Sequence, residues 1–548
     1  MKFCEIFLIF IRNKYRGAAN MGATLKHLNR FRTGKTPDVD TYLHRFKMRV
    51  KKKLEAAVRD GIIDNPRDVL TNQEALARVN RYPNLDSLDP NPGLGRNYKN
   101  SGLIVRLSTP DGDYLHLDQN DNPKEIGKTI RAHTAERILA GDIVWEHMVG
   151  GKATRLQRSR EKYLLTPLDL AVPPEKMLEN QKFFLTPSHM AYVSSPAVFD
   201  ISDILDIPLG IRHMLAFTFG IKELAHEFGG TKYYNALARQ KVFIIANNDI
   251  LDNVIESFRE WGYFGLDESN VCFMASSSFL GIGIDEGGGV FASQMASPFI
   301  HNHGVAKIQS TMNHNALSMI GGKIRRPKTA EDFRHFLSGA ACMQSLNVED
   351  LNYLTEPIDM VSAAIALNTE NIIPGSDYNM IMEVVAQRPE GEDPQKGGML
   401  ALDPYFYGRE GGRLVMIESF QLYPEYDDID LARAEEKWKR IRYLNRNQNF
   451  YPNPAVWWDE VAQKGLPISL RNRDGYFYNE VPQGDLNYFL RTLYVIRKTK
   501  IGERIMVDPI RNIKTKADIP KAHDTFRRQD NQVGFLDFLH DFGYRGLR

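Results

Sequence analysis

The stretch IVWEHMVGGKATRLQRSREK, Ile143 to Lys162, decides how the rest of the chain is read. A short apolar run breaks at Gly150-Gly151 and is followed by Lys152, Thr154, Arg155 and Lys162. A strand that ends in a glycine loop lets backbone N–H groups approach a phosphate, and cations just beyond it neutralise the charge. Gly150, Gly151 and Thr154 therefore form a candidate phosphate cradle, although glycines followed by basic residues also describe an ordinary surface turn. The polar pair Glu146-His147 is unusual inside such a strand.

Downstream, Leu209 to Gly229 reads as a helix ended by glycine. KVFIIANND then gives a continuous apolar run, Val242 to Ile245, ending in Asn and Asp; such runs suit a buried parallel strand whose carboxyl end carries ligand groups. A helical pattern over Ile250 to Trp261 and a short strand at Val271 to Met274 follow, and the alternation continues through Ala341 to Leu351, Met380 to Val385 and Leu414 to Leu422. Alternating strands and helices predict an α/β fold. Upstream, Tyr42, Phe46, Val50, Leu54 and Val58 recur every fourth residue and Gly61 ends the pattern, which predicts one amphipathic helix with a solvated basic face. Residues 82–100 read as a loop closing this N-terminal region.

The chain has 548 residues, 43% of them hydrophobic and 25% charged, with a formal net charge of +2. That is the composition of a globular protein of two or three domains, and its balance of charge gives no field for nucleic acid or a membrane surface. Cys4, Cys272 and Cys342 make no CxxC and no disulfide framework, so a reducing compartment and a cytoplasmic protein are expected. The apolar start MKFCEIFLIFI is interrupted by Glu5 and reads as a buried terminal segment or as residues upstream of a start at Met21, and no run reaches the roughly 20 apolar residues a membrane helix needs.

The order of these blocks resembles the UTP-dependent sugar-1-phosphate uridylyltransferases, the family of UDP-glucose and UDP-N-acetylglucosamine pyrophosphorylases. Gly150 to Leu156 is similar to the family's GGxGTRLG loop, with Ala153 in place of its third glycine, and Lys162 falls where the family has a triphosphate-binding lysine. Phe243 to Met274 is similar to the family's strand, Asn/Ser-rich turn, helix and second strand. The resemblance makes Asn247 and Asn248 candidates for reading a uracil edge, since an amide offers both donor and acceptor; capping of the following helix is the other reading, above all for Asp249. SPFIHNHGVAK resembles a GHG or GNGG segment and brings in Asn302, His303 and Gly304, with the IDEGGG run from Ile284 as a competing alignment. The glutamine that the family has after the second strand is replaced by Ala275 and three serines.

LNVEDL, Leu346 to Leu351, looks like the family's strand-terminal NxDNL, whose aspartate holds Mg²⁺. Glu349 stands at that position and Asp350 follows, and either carboxylate suits a hard cation. Met382 to Leu400 resembles the glucose branch, with Lys396 and Gly397 bordering the sugar pocket and Glu418 as its hydroxyl acceptor. Leu444 to Phe450 stands where the family has FNTNN, which leaves Asn445 and Asn447 as sugar contacts and puts Arg446 in place of threonine. Ile510 to Ile519 is similar to PVKTTSDL and puts Lys514 on the phosphates.

The resemblance implies a nucleotide-diphospho-sugar transferase type of α/β fold. A Rossmann-like mixed sheet flanked by helices forms a catalytic domain at 136–455, between an N-terminal helical region at 1–135 and a small C-terminal domain at 456–548. It implies UTP and a sugar 1-phosphate, most readily glucose 1-phosphate, as substrates and Mg²⁺ as cofactor, with Arg155, Lys162 and Lys514 as catalytic cations. A sugar-nucleotide-binding protein with lost or altered catalysis is the alternative. A zinc hydrolase built on His301, His303 and His314 is a weaker rival, supported only by the His-x-His spacing.

Overall fold

The structure is a computed structural model. It describes residues 37–542 apart from several segments, chiefly 72–74, 80–87, 152–155, 157–160, 171–205, 294–298, 301–315, 388–396, 404–411 and 419–441. Among the described residues fifteen strands form one mixed sheet. In chain order these are β1 (Ser101–Thr109), β2 (Gly112–His116), β3 (Lys124–Glu125), β4 (Ile143–Met148), β5 (Lys241–Asn247), β6 (Val271–Ser276), β7 (Ala316–Ile320) and β8 (Lys323–Arg325). Then follow β9 (Cys342–Asn347), β10 (Met380–Ala386), β11 (Gly398–Asp403), β12 (Arg413–Glu418), β13 (Tyr443–Pro452), β14 (Thr492–Ile501) and β15 (Arg504–Val507).

The main path across the sheet is β8-β7-β6-β5-β4-β9-β13-β10-β14-β1-β2-β3, with β12 on β11, β11 on β13, and β15 on β14. Strands β6, β5, β4 and β9 are mutually parallel. β13 is antiparallel to both β9 and β10, so β10 runs with β9, and β14 and β1 continue that direction.

Parallel strands covered on both faces read as near-continuous apolar runs, and β5 is one, whereas β4, β9 and β10 carry Glu146-His147, Gln344-Ser345 and Glu383 within theirs. Trp145, Val242, Ile244 and Leu346 enter one core, whereas Val144, Phe243, Ile245 and Met343 enter the other. The first face carries α2 (Lys128–Ala140), α3 (Leu209–Phe228), α4 (Leu251–Glu260), α5 (Met360–Leu367), α7 (Ile519–Asp530) and α8 (Phe535–Phe542). The second carries α1 (Pro37–Arg59), α6 (Pro454–Lys464) and a four-stranded sheet made from residues 282–292 and 469–480. Each fully buried Phe, Ile or Leu in these layers contributes on the order of 1.5–3 kcal/mol.

The sheet runs through the boundaries expected from the sequence. β1 to β3 lie within residues 1–135, and β1 pairs in parallel with β14 from the far end of the chain, Ser101 opposite Thr492. Helix α3 keeps its predicted end: Gly229 adopts φ +64° and its N–H donates to the Ala225 carbonyl. IDEGGG is a hairpin turn, in which Asp285 N–H donates to the Gly289 carbonyl at 2.9 Å and Gly288 has φ +81°.

The C-terminal helices are fixed from within. Arg212, 1% exposed in α3, donates to Asp530 at 2.8 Å and to the Gln529 side-chain oxygen at 3.0 Å, and its guanidinium lies over the Phe526 ring. Cys272 and Cys342 are buried and outside any disulfide, and burial pushes the Cys342 thiol up to about 12. Among the described residues no helix is long and apolar enough to cross a membrane.

Candidate functional site

The chain leaves β4, moves outward through β5 and β6, and returns on the other side of β4 as β9. The crevice beyond the carboxyl ends of β4 and β9 is a topological switch point, the place where an open α/β sheet receives ligands. Gly150 and Gly151 follow β4 directly, and Glu349 and Asp350 follow β9.

Two lysines converge there. Lys162 Nζ donates to Glu349 Oε1, and Lys514 Nζ lies 3.7 Å from Glu349 Oε2. All three side chains are largely buried, at 8%, 15% and 11% exposed, which raises the strength of their charge interactions above that of surface pairs. Lys162 N–H donates to the Gly151 carbonyl at 3.0 Å, so the lysine folds back onto the glycine loop. A β-carbon at Gly151 would stand 3.6 Å from Glu349 Oε1.

Lys514 reaches the same point through backbone pairing. Ile513 N–H donates to the Glu349 carbonyl, and Leu351 N–H to the Arg511 carbonyl, both at 3.0 Å. Asp518, 1% exposed, then accepts from the Lys514 and Thr515 N–H groups at 2.9 and 2.8 Å and closes a capping box with Thr515. Asp518 is a site-building residue that the sequence reading passed over. Its signal is the Thr515-x-x-Asp518 spacing at the start of a helical turn.

Asn247 ties β5 to the glycine loop. Its amide nitrogen donates to the Gly150 carbonyl at 2.8 Å and its amide oxygen accepts from Ile250 N–H at 3.1 Å. At 1% exposed, both ends of this amide are engaged inside the protein, so the observed role is to anchor the loop and start α4.

Asp350 points away from the lysines into a buried ionic network. Arg446 Nε donates to Asp350 Oδ2 at 2.9 Å, and Asn352 N–H donates to Oδ1, also at 2.9 Å. Arg446 continues to Glu383 at 2.6 Å, Arg497 reaches Glu383 at 3.1 Å, and Arg106 pairs with Asp359. Burial raises the Asp350 carboxyl to about 7 against the pull of Arg497. Burial would raise Asp359 too, but the Arg106 and Arg497 guanidiniums hold it below the carboxylate range, and burial together with the Asp359 charge pushes Glu383 up.

Arg446 reaches this network because β13 bulges. Val384 faces Asn445 and Met382 faces Asn449, so residues 446–448 oppose Glu383 alone. Asn447 takes up the irregularity with φ +65°, a conformation Asn tolerates better than branched residues. Its N–H donates to Asn445 Oδ1 at 2.8 Å. Among the expected sugar contacts, Asn445 is buried and Asn447 half-buried. Glu418 ends β12 opposite Gly398, where an added β-carbon would lie 2.9 Å from Glu418 Oε1. Gly397 adjoins Lys514, which links this edge to the lysine pair.

The structure thus brings Gly150, Gly151, Lys162, Glu349, Lys514 and Gly397 to one crevice, with Asn247 and Asp350 behind it. Thr154, Arg155, Asn248, Asn302, His303, Gly304 and Lys396 lie outside the described residues, as do His301 and His314. Among the described residues no cluster of three or more His, Cys, Asp or Glu could hold a metal by itself.

The polar pair inside β4 meets partners in the layers around it. Ser345, directly opposite on β9, donates to Glu146 Oε1 at 2.7 Å. His147 lies against Tyr353, with Nε2 at 3.4 Å from its hydroxyl, and His213 of α3 stacks on the same tyrosine ring. Burial lowers His147 to about 3, and burial with the neighbouring His147 lowers His213 well below its usual range.

No protein-family model matches the chain, and no curated protein matches it. Solved structures do. A UDP-N-acetylglucosamine pyrophosphorylase from Trypanosoma brucei is 15% identical over 72% of this chain and 67% of its own, with a TM-score of 0.44. A UDP-glucose pyrophosphorylase from the same organism is 13% identical over 70% of this chain and 67% of its own, with a TM-score of 0.41. A variant of UDP-glucose pyrophosphorylase from Leishmania major, in complex with UDP-glucose, is 14% identical over 86% of this chain and 78% of its own, with a TM-score of 0.43.

Proposed function

We propose that the protein is a nucleotidyltransferase that joins UTP and a sugar 1-phosphate, with glucose 1-phosphate the favoured partner, into a UDP-sugar and pyrophosphate. The observation that carries this reading is the convergence of Lys162 and Lys514 on Glu349 at the switch point of the sheet, beside a glycine loop. Two ammonium groups and close backbone fit a polyphosphate.

In the proposed reaction a phosphate oxygen of the sugar 1-phosphate attacks the α-phosphorus of UTP. The bond to the bridging oxygen breaks, and pyrophosphate leaves with its electron pair. The attacking phosphate is ionised at neutral pH, so no protein nucleophile is needed and the task reduces to alignment and charge neutralisation. Lys162 and Lys514 would bind the phosphates, with Arg155 completing the cradle. Glu418, Asn445 and Asn447 would orient the sugar, and Asn248, Asn302, His303, Gly304 and Lys396 would border the nucleotide and sugar.

Glu349 is the carboxylate suited to Mg²⁺, an ion commonly held by one or two carboxylates together with substrate phosphates. When bound it would neutralise charge on the phosphates. One carboxylate at the lysine pair fits such a substrate-bridged ion better than an all-protein cage, which the described residues do not provide.

A panel of nucleoside triphosphates against several sugar 1-phosphates, read by pyrophosphate release, tests the reading. Release with UTP and glucose 1-phosphate, lost by about a hundredfold or more in Lys162→Met and Lys514→Met, supports it. Binding of UDP-sugar with no release under any combination would leave a binding protein of the same fold.

A further inference from the structure

Glu349 and Asp350 are adjacent carboxylates with opposite surroundings. Glu349 faces Lys162 and Lys514 at the crevice, whereas Asp350 is 2% exposed and has Arg446 on one oxygen and Asn352 N–H on the other. The backbone between them is held by Ile513 N–H on the Glu349 carbonyl and Leu351 N–H on the Arg511 carbonyl, so any shift of Asp350 is passed to the turn that carries Glu349. Arg446 is itself clamped. Its Nη1 donates to Glu383 at 2.6 Å, Glu383 also accepts from Arg497 at 3.1 Å and from Ser362, and the β13 bulge gives the arginine its place.

We propose that Asp350 and Arg446 are positioning residues: their buried ion pair, clamped by Glu383, fixes the turn that aims Glu349 at the two lysines and leaves metal ligation to Glu349. This rests on the proposed reading of Glu349 as the metal-binding carboxylate. A direct ligand at Asp350 would have to share or release the Arg446 guanidinium in a site closed to solvent. A metal-binding carboxylate and a positioning carboxylate therefore predict different behaviour when Arg446, which cannot bind a cation, is removed.

The test is a thermodynamic cycle on Mn²⁺ binding with UTP present, read by electron paramagnetic resonance, together with kcat for pyrophosphate release. Asp350→Asn and Arg446→Gln should weaken Mn²⁺ binding by factors within about threefold of each other, with the double variant no weaker than the worse single, because both remove one interaction. Both should lower kcat about 10- to 100-fold, Arg446→Lys should recover part of that loss, and Glu349→Gln should weaken Mn²⁺ more than any of them. The double variant removes both charges of the pair together, so it reports if a single variant fails to fold. Mn²⁺ binding lost about tenfold further in Asp350→Asn than in Arg446→Gln would overturn the proposal, as would multiplicative losses in the double variant. A parent protein that binds Mn²⁺ and UTP without releasing pyrophosphate would overturn the proposed reaction alone, and the binding cycle would still decide between the two roles of Asp350.

Discussion

Lowering the pH from 7 to 5 should remove the stability contributed by two histidines that pack around Tyr353, a loss opposed by protonation of Asp350, whose carboxyl burial raises to about 7. His147 and His213 are 2% and 1% exposed. Neither ring nitrogen of His213 has a hydrogen-bond partner among the described residues. Burial lowers His147 to about 3 and His213 well below its usual range, so both stay neutral in the folded protein while the unfolded chain binds protons near 6.5. Depressed folded values mean that the stabilisation is present above the unfolded value and is lost as pH falls through the window from about 6.5 towards 3. At pH 5 His147 costs about 2 kcal/mol, 1.36 kcal/mol for each of the roughly 1.5 pH units below the unfolded value, and His213 adds a loss of the same sign. Urea unfolding followed by tryptophan fluorescence at pH 7, 6 and 5 measures this, with His213→Phe as the control that removes one of the two contributions. A parent and a His213→Phe variant that lose the same stability between pH 7 and 5 would refute the reasoning.

Three substitutions probe how the crevice is built. A β-carbon at Gly210 would fall inside the Tyr163 ring, and Tyr163 is held by Ser257 at 3.0 Å, so Gly210→Ala should cost about 1–3 kcal/mol in urea unfolding and move the neighbouring Lys162. Arg212→Met leaves Asp530 in the core without its arginine and should cost about 3–5 kcal/mol, most of it recovered in Arg212→Met/Asp530→Leu. Asn247→Ala releases the Gly150 carbonyl and should cost about 1–3 kcal/mol while raising the KM for nucleotide more than it lowers kcat.

The elements that were legible in the sequence are those whose signal is local. β5 is a continuous apolar run, and α3 ends at a glycine in the left-handed region. β1 was not legible, because SGLIVRLST gains its place from β14 at the other end of the chain, and no local pattern records a parallel partner so distant. Lys162, Glu349 and Lys514 could each be picked out one at a time. Their convergence depends on the switch of strand order between β4 and β9 and on the backbone pairing of residues 511–513 with 349–351.

Arg446 could be read only as a departure from threonine until the bulge opposite Glu383 gave it buried partners. Glu146 and His147 looked out of place in a strand. Their partners, Ser345 and Tyr353, lie on a neighbouring strand and the turn beyond it, almost two hundred residues or more away.

The most direct test of the central claim follows the phosphorus atoms. Purified protein is incubated with Mg²⁺, a sugar 1-phosphate and UTP labelled either at the α- or at the γ-phosphorus, and the products are separated. The account predicts that the α label appears in a UDP-sugar and the γ label in pyrophosphate, in equal amounts, and that both fall together in Lys162→Met. An α label that stays in UTP, or that appears in UMP without a sugar attached, would contradict it.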